Sequence, residues 1–291
     1  MLRLVLPKGS LERATISLFE EADLALRRGS DRDYKATIDD PRISEVRILR
    51  PQEIPRYVAQ GLFDLGITGR DWIEETDSEV VSLSELHYSK MTARPVSIVV
   101  AVPKDSPVNS VGDFKPGTRV STEFPTLTQR HFDKHGVDVD IQLSYGATEA
   151  KVPDIVDAIV DLTETGASLR AAGMKIIDTI LVSHTELIAN PTSYADADRR
   201  HAMEQIATLL IGTLEARGKV LVKLNVAAEQ LDAVIGILPT LKAPTVSKLF
   251  GDGGYAVETV VAKSEINTLI PALKDHGATD IIELPLSKIV H

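Results

Sequence analysis

The chain has 291 residues, of which 43% are hydrophobic and 25% charged, as is ordinary for a globular protein of two or three domains. Its formal net charge of −10 argues against broad nucleic-acid binding, so a phosphate site would need a local basic cluster in an acidic body. The absence of cysteine excludes disulfides and thiolate zinc sites, and no apolar run reaches the roughly 18 residues of a membrane-spanning helix.

The first predicted element is a buried strand, Leu2 to Leu6, which is followed by a turn and a helix from Leu11 to Ala22. The strand is too short, and too soon interrupted by Pro7 and Lys8, to be an export signal, so we expect a cytoplasmic protein. Lys8 stands beside the start of the helix, where an anion is favoured. A phosphate contact and a solvated lysine are equally consistent with that position.

The second informative stretch runs from Phe63 to Asp71, where a predicted strand ends in Gly-Ile-Thr-Gly and leads into a helix. Thr68 and Asp71 lie at this turn, so a strand again delivers a hydroxyl and an acid to a helix start. Ligands in open α/β sheets bind beyond the carboxyl ends of the strands. We therefore expect these turns to meet at one cleft.

A third turn of this kind, between Ala158 and Leu169, has the pattern of a phosphate loop. An apolar strand reaches Asp161, turns through Thr-Glu-Thr-Gly and opens a helix at Ala167. Unpaired backbone N–H groups at such a turn bind anions, and Gly166 permits close approach of a ligand. Taken alone, the pattern favours an ordinary connection with nothing bound, because short motifs often match by chance.

Two further sets of polar residues have more than one interpretation. Glu149 precedes Asp161 by twelve residues, and this spacing is nearly as consistent with a surface glutamate as with a shared site. His131 and His135 are four apart on a predicted helix and could share a face. We prefer a structural role for both histidines, because no third ligand lies nearby in the sequence and a helix C-terminus favours histidine.

The last third of the chain changes pattern. Ile176 to Ala189 is long for a strand and predicts either one long strand or two strands that switch sheets. Tyr194 to Arg217 predicts one helix, closed by Gly218. The remaining elements predict the order βαββαβ, a ferredoxin-like plan, and a separate domain with a regulatory or assembly role.

Five segments together resemble the ATP phosphoribosyltransferase family of histidine biosynthesis, in its long form with a C-terminal regulatory domain. The segments are Leu6 to Leu11, Arg50 to Pro55, Asp64 to Asp71, Glu123 to Thr128, and Asp157 to Leu169. The resemblance covers essentially the whole chain, and the segments are specific only in combination.

The resemblance implies an α/β fold with a two-lobed, periplasmic-binding-protein-like catalytic core and a C-terminal ferredoxin-like (ACT-like) βαββαβ domain. Residues 1–90 and 185–217 would form lobe I. Residues 91–184 would form lobe II, which holds the phosphate loop, and residues 218–291 the regulatory domain.

The resemblance also implies a reaction in which adenine N1 of ATP attacks C1 of 5-phosphoribosyl 1-pyrophosphate and pyrophosphate leaves. This is the first step of histidine biosynthesis, with Mg²⁺ as cofactor, histidine as feedback inhibitor and a homo-oligomer (dimer or hexamer) as the assembly. An oxocarbenium-like transition state needs positioning and electrostatic stabilisation more than a protein nucleophile.

The family's functional residues map onto three groups in this sequence. The catalytic group at the pyrophosphate or ATP phosphates is Lys8, Arg32 and Arg50. The substrate-binding group is Asp64, Thr68, Asp71, Glu149, Asp161, Thr163, Glu164, Thr165, Gly166, Ala167 and Ser168. The group predicted to bind histidine is Asn225, Leu241 and Thr245, and the metal ligands are unknown.

Three rival interpretations share parts of this pattern. A two-lobed solute-binding protein would have the same lobes without chemistry, but the export signal is missing and a phosphate loop is present. A phosphoribosyltransferase that uses free bases would more often carry paired acids before the loop, whereas Val160 precedes Asp161 here. A purely regulatory homologue would not need the basic residues that this chain retains.

Overall fold

The computed structural model of the protein describes residues 1–88, 95–239, 243–251 and 253–291. Its strands are β1 (Leu2–Pro7), β2 (Leu26–Arg27), β3 (Lys35–Ile38), β4 (Ile43–Leu49), β5 (Leu65–Gly69), β6 (Val81–Leu86), β7 (Val96–Pro103), β8 (Thr118–Thr122), β9 (Val139–Leu143), β10 (Ala158–Thr163), β11 (Met174–Ser183), β12 (Thr185–Ala189), β13 (Lys219–Val226), β14 (Thr245–Lys248), β15 (Tyr255–Ala262) and β16 (Thr279–Pro285). Its α-helices are α1 (Glu12–Glu21), α2 (Ile54–Ala59), α3 (Arg70–Thr76), α4 (Pro125–Lys134), α5 (Ala167–Ala171), α6 (Pro191–Ala195), α7 (Ala197–Ala216), α8 (Leu231–Ile237) and α9 (Ile266–Asp275).

The first sheet has seven strands in the order β2-β3-β4-β1-β5-β12-β6. At its centre β1 pairs in parallel with β4 and β5, and β12 runs antiparallel to β5 and β6. The continuous apolar run of β1 fits this central place, since Leu4, Val5 and Leu6 are all fully buried. The carboxyl ends of β1, β4 and β5 meet at one edge of the sheet.

The second sheet has five strands in the order β11-β7-β10-β8-β9. β8 is parallel to β10 and β9, whereas β7 is antiparallel to β10 and β11. One face carries a core built around Val100, Val120 and Phe132, and the other a smaller core that includes Leu169 of α5.

The chain passes between these two sheets twice. The first crossing follows β6 of the seven-stranded sheet, which ends at Leu86, and leads to β7 of the five-stranded sheet, which begins at Val96. The return occurs at His184, between β11 of the five-stranded sheet and β12 of the seven-stranded sheet. The predicted apolar run therefore consists of two strands that switch sheets, and the two-lobed α/β core is confirmed. The predicted lobe boundary between residues 90 and 91 lies outside the described residues.

The helix predicted from Tyr194 to Arg217 is wrong at its start. The structure has two helices, α6 and α7, because the backbone of Asp196 is extended between them. The first begins at Pro191, and the side chain of Asn190 caps it by accepting the Ser193 N–H at 2.8 Å. The sequence analysis passed over this Asn-Pro start signal.

The C-terminal elements confirm the predicted βαββαβ order, from β13 through α8, β14, β15 and α9 to β16. The four strands form an antiparallel sheet in the order β14-β15-β13-β16. Alternate residues of β13, including Val222 and Leu224, enter a core with Leu273 of α9, as the period-two pattern predicts.

Two compact units make up the chain, Met1–Ala207 and Thr208–His291. The division falls inside α7, ahead of the predicted boundary at residue 218. Among the helices that the structure describes, none combines the length and the apolar character needed to cross a bilayer.

Candidate active site

A cleft of about 290 Å³ opens where the strand ends of the first unit converge. It is bordered by the turn after β1, by the segment after β4, by the start of α3, by the end of β10, and by the passage from β11 to β12. Its lining residues are Ser10, Leu11, Pro51, Gly69, Asp71, Trp72, Leu86, His87, Tyr88, Pro95, Val96, Leu162, Glu164, Ser183, His184 and Thr185. The cleft thus lies where the sequence predicts it, beyond the carboxyl ends of β1 and β5.

The predicted phosphate loop closes the end of β10 through a tight turn. The N–H of Gly166 donates to the hydroxyl oxygen of Thr163 at 2.8 Å, and Gly166 adopts a φ of +71° at the start of α5. Thr163 is 7% exposed, so its side chain holds the turn together. Thr165, Ala167 and Ser168 are exposed, and the first turn of α5 offers backbone N–H groups beside the hydroxyls of Thr165 and Ser168.

Arg170 stands over this loop, which the sequence analysis missed. One guanidinium nitrogen lies 2.7 Å from the position that a Cβ on Gly166 would occupy. The residue is one helical turn from Gly166, so the i, i+4 spacing was the signal that could have revealed it. The loop therefore combines backbone donors with a cation, as an anion site requires.

Three carboxyl groups gather beside the loop. Burial, together with the negative charges of Glu149 and Glu123, raises the pKa of Asp161 to about 6. Glu123 follows β8, whose carboxyl end lies at the same edge as that of the parallel strand β10. In the sequence Glu123 belongs to one of the segments that resemble the family, but nothing local assigns it to the site.

The lobe I side of the cleft contains Asp71, in the first turn of α3. The side chain is 3% exposed, and burial raises the pKa of its carboxyl group. The Ser183 hydroxyl donates to Asp71 Oδ1 at 2.7 Å, and Ser183 in turn accepts the Asp71 N–H at 3.0 Å. Asp71 is thus held against the passage from β11 to β12, with Trp72 beside it in the lining.

Asp64 and Thr68, both predicted to bind substrate, are not among the lining residues described above. Asp64 precedes β5, at the opposite end of that strand from the cleft, and its carboxylate is buried between Arg3 and Arg199. Thr68 is fully buried and donates to the carbonyl of Pro51 at 2.9 Å. It therefore acts on the cleft only by fixing Pro51, which is a lining residue.

The three predicted catalytic cations lie outside the lining of the cleft. Lys8 is half-buried, with its ammonium 4.6 Å from the centre of the Tyr34 ring. Arg32 and Arg50 are exposed. Lys8 and Arg50 follow β1 and β4, whose carboxyl ends face the cleft, so both stand at its margin.

Helix α3 fastens the two lobes beside the cleft. The Trp72 ring packs on Phe124 with centroids 4.7 Å apart. The buried carboxylate of Glu75 accepts the N–H groups of Thr126 and Leu127 at 3.0 and 2.9 Å, which caps the start of α4. The sequence analysis missed this cap because 51 residues separate Glu75 from Thr126.

A third polar group joins His131 of α4 and His135 at its C-terminal cap, although it is 47 positions from His131 in the sequence. His131 Nε2 lies 3.0 Å from Asp178 Oδ2 of β11. A second trio in the described residues, Glu85, His87 and His184, also brings possible ligand atoms within 4.8 Å of one another. The second trio borders the cleft, since His87 and His184 line it.

Comparisons with known proteins agree with this geometry. The family model for ATP phosphoribosyltransferase matches residues 50–212, and the model for the HisG C-terminal domain matches residues 216–288. An ATP phosphoribosyltransferase of Desulforudis audaxviator is 46% identical over 289 residues, 99% of each chain. One from Solibacter usitatus is 47% identical over 290 residues, 100% of this chain and 99% of the relative.

A solved structure is also similar, a chain of the ATP phosphoribosyl transferase (HisG:HisZ) complex from Thermotoga maritima. It is 26% identical with a TM-score of 0.63, and the match covers 74% of this chain and 99% of that chain.

The fold, the cleft and these matches define a transferase of the pentosyltransferase type. The chain belongs to the ATP phosphoribosyltransferase family, whose reaction is the first step of histidine biosynthesis. This membership separates the chain from the solute-binding and free-base-using alternatives.

Proposed function

We propose that the cleft binds ATP and phosphoribosyl pyrophosphate and condenses them to N1-(5-phosphoribosyl)-ATP and pyrophosphate. The observation that carries this proposal is the meeting of a phosphate loop and a carboxyl cluster at one sheet edge. The loop supplies donors for a phosphate, and the adjacent carboxyl groups supply acceptors for sugar hydroxyls. A phosphorylated sugar needs hydrogen-bond donors at its phosphate and acceptors at its adjacent ring hydroxyls.

In this proposal the loop from Thr163 to Ser168 holds the 5-phosphate, with Arg170 beside it. Asp161 and Glu149 accept hydrogen bonds from the ribose hydroxyls. Desolvation and two like charges make an ionised Asp161 unfavourable in the free protein. Hydroxyl donors from the sugar therefore gain energy by stabilising that charge.

The same cluster fits a Mg²⁺ ion, because carboxylate oxygens are the hard ligands that this ion takes. Glu123, Glu149 and Asp161 are the residues that would hold it. When bound, the ion would supply positive charge that offsets the charge of the leaving pyrophosphate.

Lys8 and Arg50, at the margin of the cleft, and Arg32 would meet the pyrophosphate or the ATP phosphates, while Asp71 lines the lobe I side of the cleft. No residue is required as a nucleophile, because adenine N1 attacks the sugar directly. The protein's contribution is to align N1 with C1 and to stabilise the departing charge.

The regulatory assignment rests on the C-terminal unit. Thr245, one of three residues predicted to bind histidine, borders a cavity of about 510 Å³ together with Lys219 and Glu258. Asn225 donates to Asp280 at 3.0 Å and is not among the described lining residues of that cavity, whereas Leu241 lies outside the described residues. We propose that histidine occupies this cavity and inhibits the enzyme; a homo-oligomer and a cytoplasmic location stay predictions.

One assay tests the proposal. Product formation is followed from ATP and phosphoribosyl pyrophosphate with Mg²⁺, with and without histidine, and free bases replace ATP in a parallel series. We expect phosphoribosyl-ATP and pyrophosphate from ATP alone, and less of both with histidine. Release of pyrophosphate with free bases but not with ATP would contradict the assigned substrate. Full activity at saturating histidine would contradict the assigned inhibitor.

A further inference from the structure

His131 of α4, His135 at the C-terminal cap of α4 and Asp178 of β11 form a cluster of metal-ligating atoms away from the cleft. His131, His135 and Asp178 each offer one possible ligand atom, and these atoms all lie within 4.8 Å of one another. None of the three is among the described lining residues of the cleft. Their elements pack together in the second lobe, where β11 is an edge strand of the five-stranded sheet.

Hydrogen bonds prepare both histidines for coordination. His135 Nδ1 lies 2.8 Å from the carbonyl oxygen of His131. A carbonyl only accepts, so Nδ1 carries the proton and the lone pair of His135 is on Nε2. A ligating histidine usually donates its second ring N–H to such a carbonyl, which fixes the tautomer and the ring direction.

His131 already has its partner in place. Its Nε2 lies 3.0 Å from Asp178 Oδ2, close to the separation of about 3.3 Å between two tetrahedral ligand atoms that are each roughly 2.0 Å from zinc. His131 and Asp178 are partly buried, whereas His135 is exposed, so the cluster is open to an ion from solvent. The ring centroids of the two histidines are 4.6 Å apart.

We propose that His131, His135 and Asp178 bind a Zn²⁺ ion, with water in the fourth position. Two imidazoles at i and i+4 on a helix with one carboxylate form a nitrogen and oxygen set that suits zinc, whereas Mg²⁺ and Ca²⁺ take oxygen ligands. On binding, neutral His131 changes tautomer: its ring proton leaves Nε2, where it faces Asp178, and Nδ1 takes up a proton from solvent, so a metal–nitrogen bond at Nε2 replaces the hydrogen bond with no net proton released. The ion joins the last turn of α4 to β11 and stabilises the second lobe.

The experiment is a Zn²⁺ titration of the full chain against a chromophoric chelator near pH 7.5, combined with thermal unfolding. His135→Ala removes one exposed ligand and leaves the His131–Asp178 pair intact, so the variant is expected to fold. His184→Ala is the matched control, because it removes a histidine from the trio beside the cleft. Circular dichroism checks the fold of each variant, and His135→Gln replaces His135→Ala if the latter is unfolded.

We expect the wild type and His184→Ala to retain zinc at the α4 site and to gain thermal stability from it. His135→Ala should weaken that binding by at least about tenfold. The proposal is overturned if the wild type fails to compete with the chelator, or if loss of His135 leaves affinity and zinc-dependent stabilisation unchanged. It is also overturned if His184→Ala alone abolishes binding, since zinc would then belong to the cleft.

Discussion

Replacing Asp161 with asparagine should make the protein more stable at neutral pH while weakening its binding of phosphoribosyl pyrophosphate. Burial is the main cause that raises the pKa of this carboxyl group from 3.8 to about 6, and the charges of Glu149 and Glu123 contribute to that rise. Asp161 Oδ1 accepts the Leu162 N–H at 2.7 Å, and an asparagine oxygen can accept the same bond. The substitution therefore removes the charge and keeps the local hydrogen bond.

The magnitude follows from the pKa. A rise of about two units, at 1.36 kcal/mol each, makes ionised Asp161 cost up to about 3 kcal/mol of folding free energy. The side chain is partly exposed, so we expect about 2 kcal/mol after solvent screening. The folded pKa lies above the unfolded one, so the folded state binds more protons between about pH 4 and pH 6. This contribution to stability is complete below that window and is lost as the pH rises through 6.

Thermal unfolding across pH tests the reasoning. Near pH 7.5 the Tm of Asp161→Asn should exceed that of the wild type by about 4–8 °C, and near pH 4 the two should agree. The KM for phosphoribosyl pyrophosphate should rise about tenfold or more, because a charged acceptor is lost. Equal Tm values at every pH would refute the assigned environment.

A matched control lies just before the same strand. Hydrogen bonds from Arg119 lower the pKa of Asp157, so its ionised form stabilises the folded state and this contribution is lost in acid. The pair is exposed, at 41% for Arg119 and 47% for Asp157, so solvent screens it and its contribution to stability is small. Asp157→Asn should therefore lower the Tm slightly at neutral pH, which is the opposite sign.

Three other substitutions test the loop and the fastening of the lobes. Gly166→Val should strongly raise the KM for phosphoribosyl pyrophosphate in a folded protein. Gly173→Val is the control, because Gly173 has a similar φ of +74° with open space around it, and it should leave this KM unchanged. An unchanged KM in Gly166→Val would remove the loop assignment. Arg170→Ala should raise the same KM about tenfold, and Arg170→Lys should recover part of the loss because it restores the positive charge. Steady-state kinetics that show no change in KM for Arg170→Ala would exclude a phosphate contact. Glu75→Ala should lower the Tm by about 2–8 °C, because the start of α4 loses its cap. Calorimetry measures the Tm, and a value equal to that of the wild type would show that the cap contributes nothing.

Much of the fold could be predicted because its signals are local. The turns after β5 and β10 follow from apolar strands that run directly into glycine, hydroxyl residues and a helix start. The βαββαβ order follows from period-two strands alternating with helical spacing in the last unit. The start of α6 was also a local signal, and the prediction failed there because the Asn190 cap was overlooked.

The remaining features depend on residues far apart in the sequence. The residues next to Asp64 in the sequence predict that it lines the cleft. Its carboxylate instead pairs with Arg3 and Arg199, which are 61 and 135 positions away. His131 finds Asp178 across 47 positions in the same way.

The sequence by itself determined which segments become strands and helices and where a phosphate can meet a strand end. Only the tertiary structure decided which charges are paired inside, which carboxyl groups share the cleft and which histidines meet an acid. The reason is physical: backbone preferences act over a few residues, whereas desolvation and charge pairing depend on which distant segments of the chain pack together.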